Sequence, residues 1–328
     1  MQYRQLGKTD FNISAISLGT WQVGGKWGSP FNEESAEHII NEAIDQGVNF
    51  IDTADVYSNR LSEKTVGKVV RSRSERVFVA TKCGRFINPH LNENYTPQVL
   101  REYVETSLKN SGLEALDLIQ LHCPPTEVYY RPEIFELFDR LKEEGKILHL
   151  GVSVEKVEEA LKAIEYDNVT TVQIIFNMFR HRPAELFFKE AQRRNIGIIV
   201  RVPLASGLLT GKYSFATTFG KDDHRNFNRN GEAFDKGETF SGINYEKGLL
   251  AVDELKKLFP DVDNLAPLAI RWVLAQKAVS TVIPGASKVE QVHSNLSAFD
   301  YPDFTPEQLA AIDGIYNQYI KSEVHHLW

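Results

Sequence analysis

The sequence predicts an α/β fold, a (β/α)8 TIM barrel in which residues 1–328 form a single domain. Short apolar runs rich in β-branched residues alternate with longer amphipathic stretches along the chain. Each short run is typical of a parallel strand buried on both faces, and eight such runs match the strand number of a barrel. No shift in composition marks a linker, and α/β barrels of this length routinely fold as one unit. A doubly wound open sheet is the alternative.

The predicted strands are residues 15–18, 49–52, 77–81, 116–121, 147–152, 171–175, 196–202 and 280–283. The predicted helices are residues 33–46, 62–71, 97–110, 132–144, 155–164, 183–194 and 265–277. Asn32, Pro97 and Pro132 stand where a helix begins, since an Asn side chain caps a first turn and proline fits one. Gly47 and Gly145 stand just past helix ends, where a left-handed residue is favoured.

Two segments are additions to the barrel. Spaced apolar residues around Gly7 predict that residues 1–14 form an N-terminal β-hairpin cap. Residues 213–244 are polar, with scattered aromatic residues and glycines, and predict a long loop after strand seven. Long loops in compact domains are usually functional, and a barrel keeps its active site at this face, so we expect the loop to lie beside the site.

Composition excludes several classes of protein. The net charge of -7 argues against a nucleic-acid-binding protein, which would carry a basic patch. No run of about 18 apolar residues is present, so we expect no membrane span. The two cysteines, Cys83 and Cys123, are too few for a disulfide framework. We therefore expect a cytoplasmic protein with inert, buried thiols, although a redox-sensing pair is conceivable.

Polar residues stand at the ends of three consecutive predicted strands. Asp52 ends the second strand and is followed by Tyr57, Lys82 follows the third strand, and His122 follows the fourth. The ends of parallel barrel strands share one mouth, so we expect these side chains to converge. Taken singly, each has an ordinary structural interpretation, such as a helix cap or a packed loop aromatic.

These residue types suit the reduction of a carbonyl group without a metal. Hydride attack leaves negative charge on the carbonyl oxygen, and Tyr57 can donate a proton to it. The pKa of a free tyrosine is about 10, and the ammonium of Lys82 is expected to lower it. Asp52 would keep the buried lysine charged, and a neutral His122 would orient the carbonyl group.

The four residues and the strings around them resemble the aldo-keto reductase superfamily, in its bacterial, broad-specificity branch. The strings are NFIDTADVYSN, VFVATKCG, LDLIQLHCPP and KILHLGVS. The resemblance runs from about residue 6 to about residue 296. It implies a TIM barrel, NADP(H) as cofactor and a small aldehyde or ketone as substrate. It also implies that Asp52, Tyr57, Lys82 and His122 form the catalytic tetrad, with Tyr57 as general acid.

The resemblance also assigns a cofactor site, whereas the sequence has no Rossmann G-x-G-x-x-G fingerprint. The assigned residues are Gly19, Thr20, Trp21, Asp52, Ser153, Gln173, Arg201, Leu204, Ser206, Gly207, Leu208, Lys212, Gly285, Ser287, Lys288, Gln291 and Asn295. Ser287 and Lys288 would bind a 2′-phosphate at a helix start, which favours NADP over NAD. Arg201 stands where relatives stack an aromatic ring on the nicotinamide. A guanidinium can also stack, but an anionic substrate group or a cofactor phosphate are alternative partners.

Aromatic residues around one polar anchor predict a substrate pocket. Its candidates are Trp21, Trp27, Phe31, Tyr57, Phe86 and His122, with Tyr129, Tyr130 and either Phe227 or Phe240 as weaker ones. No His/Asp cluster has metal-ligand spacing, so we expect no metal. Two functions stay open: a working NADP(H)-dependent reductase, or an NADP(H)-sensing regulatory subunit with little turnover, as some relatives associate with membrane channels.

Overall fold

The computed structural model describes residues 1–25 and 29–328. The strands are β1 (Tyr3–Gln5), β2 (Asn12–Ser14), β3 (Leu18–Gly19), β4 (Phe50–Asp52), β5 (Phe78–Cys83), β6 (Leu116–His122), β7 (Ile147–Ser153), β8 (Val169–Ile175), β9 (Gly197–Arg201) and β10 (Val279–Val282). The helices are α1 (Glu33–Asp45), α2 (Leu61–Ser72), α3 (Pro97–Ser111), α4 (Pro132–Glu143), α5 (Val157–Ala163), α6 (Phe187–Arg193), α7 (His224–Phe227), α8 (Tyr245–Leu258), α9 (Leu265–Leu274), α10 (Val289–Leu296), α11 (Pro306–Ile315) and α12 (Lys321–Val324).

Strands β3 to β10 form one eight-stranded sheet, in which each strand pairs in parallel with its neighbour along the chain. Isolated parallel bridges join Ile16 to Val282 and Gly19 to Gly285, so the first strand meets the last. Helices connect the successive strands. The predicted TIM barrel is confirmed, and the alternative of an open, doubly wound sheet is wrong.

The predicted N-terminal hairpin is confirmed by antiparallel pairing of β1 with β2. Leu6, Phe11 and Ile13 are buried against residues from inside the barrel. The turn passes so close to the start of β9 that a Cβ on Gly7 would lie 2.1 Å from the nitrogen of Gly197. Gly7 also has a φ of +54°, a left-handed conformation that glycine adopts at little cost. The hairpin therefore closes the N-terminal end of the barrel.

Successive layers of the barrel interior differ in chemistry. Residues two apart on a strand face the same side. The buried layer that packs with the hairpin contains Phe50, Ala80, Leu118 and Ile199. Two residues further along the same strands stand Asp52, Lys82, Gln120 and Arg201. Along these four strands, the interior therefore changes from apolar side chains to polar or charged ones over two residues.

The structure confirms the helix ends that were predicted from capping residues. The Asn32 side chain accepts from the Ser35 backbone N–H, Pro97 and Pro132 begin α3 and α4, and Gly47 has a φ of +90°. Helices α8, α11 and α12 lie outside the predicted set. In α8, a glycine in the first turn and the charged residues mask the apolar pattern of the buried face.

Two further features follow from the described residues. The segment after β9 is a long loop, as predicted, with α7 as a four-residue helical turn inside it. Among residues 1–25 and 29–328, no helix combines the length and apolar character that crossing a membrane requires.

Candidate active site

The structure brings the four residues of the predicted tetrad together at the open end of the barrel. Lys82 Nζ lies 2.5 Å from Asp52 Oδ1 and 3.2 Å from the Tyr57 hydroxyl. The rings of Tyr57 and His122 meet edge to face, with centroids 6.1 Å apart. Strands β4, β5 and β6 are neighbours in the sheet, and their ends position Asp52, Lys82 and His122 side by side.

Lys82 and Asp52 form a buried ion pair whose hydrogen bonds are largely satisfied. Their side chains are 1% and 2% exposed. Lys82 also donates to the Thr53 carbonyl over 2.8 Å, while Asp52 Oδ2 accepts from Gln120 and Gln173 over 3.1 and 2.8 Å. Burial lowers the pKa of Lys82, but the charges of Asp52 and Tyr57 and the hydrogen bonds to both side chains together outweigh burial, and the net pKa shift is upward. The ammonium therefore stays charged inside the barrel.

The pKa of Tyr57 corrects one expectation. Burial raises it, the charge of Lys82 acts in the opposite direction, and the charge of Asp52 adds to the rise. The net shift is upward, so the predicted lowering of this pKa is wrong for this structure, because the desolvation of the phenolate outweighs the nearby ammonium. The hydroxyl therefore remains protonated at neutral pH, which is the form that can donate.

The expectation of a neutral histidine holds. Burial lowers the pKa of His122 well below its ordinary value, and the positive charges of Lys82, Arg85 and Arg201 lower it further. An imidazole in this setting stays uncharged at neutral pH and can donate one hydrogen bond.

A cavity of about 440 Å³ opens at this end of the barrel. The predicted residues that line it are Gly19, Thr20, Trp21, Asp52, Tyr57, His122, Gln173, Arg201, Leu204, Ser206, Gly207, Gly285 and Gln291. Lys82 lies behind Tyr57, with its ammonium 4.8 Å from the centre of the phenol ring. The tetrad and a large part of the predicted cofactor set therefore share one cavity.

Several predicted cofactor residues are not among the described residues that line the cavity. Ser153 is buried at the end of β7, and Leu208 is buried in the hydrophobic core. Lys212 and Lys288 are exposed. Ser287 donates from its backbone N–H to Gln291 Oε1 over 2.6 Å. Asn295 Nδ2 donates to the Gly285 carbonyl over 3.4 Å, so the α10 amides contact the loop before the helix.

The predicted substrate pocket is only partly assembled from the predicted aromatic residues. Phe86 faces the guanidinium of Arg60, 5.1 Å from the ring centre, and is not among the described lining residues. Trp27 lies outside the described residues. Tyr129 and Phe240 are buried in the core, Tyr130 is 65% exposed, and Phe31 packs beside α1. Phe31, Tyr129, Tyr130 and Phe240 are not among the described residues that line the cavity, and for the buried Tyr129 and Phe240 the packing interpretation fits better.

The loop after β9 supplies a wall that the sequence analysis did not assign. Trp21 packs against His224 and Phe234, with ring centroids 5.0 and 6.3 Å apart. Ser206 ties the loop to the barrel by donating to the Glu238 carbonyl over 2.9 Å. The long loop therefore lies beside the site, as expected. The sequence did not reveal which of its residues contact the cavity, because these contacts form only when the loop packs on the barrel.

A cluster of opposite charges forms another wall of the cavity. Arg85 Nη1 lies 3.5 Å from Glu155 Oε1, and Arg201 Nη1 lies 3.4 Å from Glu238 Oε1. Both guanidinium groups also contact Cys123, which follows the tetrad histidine. Arg85 donates to its carbonyl over 3.4 Å and Arg201 to its sulfur over 3.6 Å. Arg85 lies just after β5, and Arg201 is the last residue of β9. A charged residue at the end of a barrel strand is the sequence feature from which this pair could have been predicted.

Three members of this cluster also bring potential metal ligands together. The ligand atoms of Cys123, Glu155 and Glu238 lie within 4.8 Å of one another, a grouping that sequence spacing did not reveal. Each carboxylate already faces an arginine, and burial raises the pKa of Cys123 to about 12, against the thiolate that a metal requires. The arrangement fits an ion-pair cluster better than a metal centre. Both cysteines are buried and unpaired.

The residues present fit a nicotinamide dinucleotide. The cavity extends from Tyr57 past Ser206 and Gly207 to Gly285 and Gln291. Gly285 lines the cavity, and a Cβ there would meet its nearest heavy atom, Gln22 Oε1, at an ordinary contact distance of 3.6 Å. Without a side chain, this backbone permits the close approach of a phosphate.

Comparisons with known proteins agree with this geometry. The chain matches the model of the Aldo/keto reductase family over residues 15–317. It is 31% identical to the glycerol dehydrogenase of Gluconobacter oxydans, whose solved structure superposes with a TM-score of 0.78 and coverage of 97% of this chain and 96% of that one. A putative voltage-gated potassium channel subunit beta of Schizosaccharomyces pombe is 30% identical over 96% of this chain and 93% of its own. The NADH-specific methylglyoxal reductase of Escherichia coli is 29% identical over 90% and 92%.

Proposed function

The chain belongs to the aldo/keto reductase family, and from this premise we propose that it reduces an aldehyde or ketone to an alcohol with NADPH, acting as one barrel domain. The observation that carries the proposal is the contact of the Lys82 ammonium with the Tyr57 hydroxyl at 3.2 Å, beside the cavity. This pair joins a proton donor to a charge that stabilises the phenolate left behind.

Each tetrad residue has a proposed role. NADPH supplies the hydride when it is bound. Tyr57 donates its hydroxyl proton to the carbonyl oxygen as negative charge develops there. Lys82, held charged by Asp52, stabilises the phenolate, and the neutral His122 orients the carbonyl group by a hydrogen bond.

The cofactor assignment extends along the cavity. We propose that Ser206, Gly207 and Gly285 contact the pyrophosphate, and that Gln173 and Ser153 hold the carboxamide beside Arg201. Lys288 and Ser287 at the start of α10 would bind the 2′-phosphate, which is the basis for choosing NADP over NAD. One relative is named an NADH-specific reductase, so cofactor preference varies among similar chains.

The test is NADPH oxidation with a panel of aldehydes and ketones, followed as the loss of nicotinamide absorbance. Tyr57→Phe is expected to keep NADPH binding but to lower turnover by about 10²- to 10⁴-fold, because the proton donor is lost. Tyr130→Phe, at an exposed tyrosine outside the cavity, is the matched control. Full turnover in Tyr57→Phe would contradict the proton-donor role.

A second candidate is an NADP(H)-sensing regulatory subunit, which the similarity to a channel subunit beta favours. Tight NADPH binding without turnover of any carbonyl in the panel would support this candidate. The two unpaired cysteines suit a reducing compartment, so we propose the cytoplasm as the location for either function.

A further inference from the structure

Two arginines occupy the cavity wall next to the residue that follows His122. Arg85 and Arg201 both line the cavity, and both contact Cys123. A neutral aldehyde offers a guanidinium no charge, whereas carboxylate and phosphate groups match its planar set of donors. A simple aldehyde therefore gives the two arginines no charge to bind, whereas an anionic substrate does.

The carboxylates that face these arginines hold them loosely. The separations of 3.5 and 3.4 Å exceed the 2.7–2.9 Å that is typical of charge-assisted hydrogen bonds. For comparison, the surface pair of Arg101 and Glu144 is 2.7 Å apart. Within the part of the chain that the structure describes, Arg201 Nε is buried without a hydrogen-bond partner. One guanidinium donor of the wall, Arg201 Nε, is therefore unsatisfied, and the long separations leave both arginines only weakly held by their carboxylates.

The charges of the wall also favour the binding of an anion. Burial raises the pKa of Glu155 to about 7, and the charges of Asp235 and Glu238 add to this rise against the pull of Arg85 and Arg201. When Glu155 takes up a proton, two guanidinium charges face one carboxylate, that of Glu238. An incoming anion would restore neutrality in a poorly solvated wall, where an unpaired charge is costly.

We infer that this wall is an anion site, and that the protein reduces carbonyl compounds carrying a carboxylate or phosphate group, with Arg85 as the residue that selects them. The inference rests on the proposed reductase function. Arg85, Tyr57 and His122 line the same cavity, and the charge of Arg85 acts on His122, so one small molecule can place an anionic group on Arg85 and a carbonyl group on Tyr57 and His122. Arg201 adds positive potential from the same wall.

Anion binding is linked to the protonation of Glu155. The anion replaces the Glu155 carboxylate at Arg85, and Glu155 then takes up a proton. The KM for an anionic substrate therefore rises as the pH rises through about 7, whereas the KM for a neutral analogue does not follow. The charged groups that face Glu155 from the surrounding elements are Arg85, Glu159, Arg180, Arg201, Asp235 and Glu238.

The experiment compares matched substrates: succinic semialdehyde with its methyl ester, and glyceraldehyde 3-phosphate with glyceraldehyde. The wild type is expected to prefer the anionic member of at least one pair, and the pair preferred identifies the anion. Arg85→Gln is expected to reduce this preference, measured as the ratio of kcat/KM values, by roughly 10- to 100-fold. Glu155→Gln is expected to remove the pH dependence of KM for the anionic member.

Controls separate this inference from the reductase proposal. Arg101→Gln removes the same charge from a surface pair and should leave the ratio unchanged. Without cofactor, succinate or phosphate should raise the Tm of the wild type but not that of Arg85→Gln. Equal use of both members of each pair, unaltered in Arg85→Gln, would overturn the anion site and leave the reductase function standing. No reduction of any substrate, together with a succinate- or phosphate-dependent rise in Tm, would instead contradict the reductase function and support the site.

Discussion

The two ends of the barrel are built from the same strands but bury opposite kinds of side chains. At the hairpin end, Leu6 and Phe11 pack on Phe50 and Leu118 in an apolar cluster. At the open end, the same strands bury an ion pair, of which Asp52 is a member. Burying apolar surface stabilises the fold, whereas burying charge opposes stability unless partners compensate for it. One end of the strands therefore stabilises the fold by apolar packing, and the other end holds the polar residues proposed to react.

The largest effect is expected where the charged end is broken. Lys82→Met leaves Asp52 buried without its counter-ion, so we expect a loss of about 3–5 kcal/mol in the free energy of unfolding. Turnover should fall by about 10³-fold or more, because the phenolate of Tyr57 loses its stabilising charge. Urea unfolding and NADPH oxidation measure the two effects. The double variant Asp52→Asn/Lys82→Met should recover stability but not turnover, and recovery of both would contradict the division between the two ends.

A substitution at the apolar end should have the reverse signature. Leu6→Ala removes a fully buried side chain, so we expect a loss of about 2–5 kcal/mol in the free energy of unfolding and an unchanged kcat. Leu91→Ala, at a leucine that is 47% exposed, is the control for the change of residue type. A large fall in kcat for Leu6→Ala at a temperature where the variant is folded would break the comparison.

The loss of stability caused by burying charge at the open end can also be measured as the pH dependence of the free energy of unfolding. Burial raises the pKa of Asp55 to about 7, helped by the charge of Glu63 and opposed by Arg60. The folded state therefore binds more protons than the unfolded state, and the free energy of unfolding falls as the pH rises from about 4 to about 7. Asp55→Asn should be more stable than the wild type by roughly 2–4 kcal/mol at pH 8, with no gain at pH 4. Denaturant titrations at both pH values test this, with exposed Asp261→Asn as control.

The smallest effect is expected at the rim of the open end. Lys288 is exposed at the start of α10, and its removal should raise the KM for NADPH roughly 10-fold while leaving the KM for NADH nearly unchanged. Lys277→Ala, at another exposed lysine, serves as control. Equal losses for both cofactors would remove the 2′-phosphate assignment and with it the reason to prefer NADP.

The sequence was sufficient for the barrel and for the convergence of Asp52, Tyr57, Lys82 and His122, because both depend on strand periodicity and on the positions of strand ends. It was insufficient for the charged wall, since Glu155, which follows β7, meets Arg85 only when the barrel forms, and Glu238 meets Arg201 only after the long loop folds back over the barrel. The direction of the Tyr57 pKa also required coordinates, because the extent of its burial cannot be deduced from neighbouring residues.

The bridge from Gly19 to Gly285 means that the proposed cofactor site straddles the seam at which the ring of strands closes. Joining the two ends of so long a chain is entropically unfavourable, and only short pairings hold the seam. A dinucleotide that contacts both glycines would hold the two strands of the seam together. Ligand binding should therefore slow hydrogen exchange at the β3–β10 seam more than at the wall between β6 and β7, the most extensively paired part of the ring.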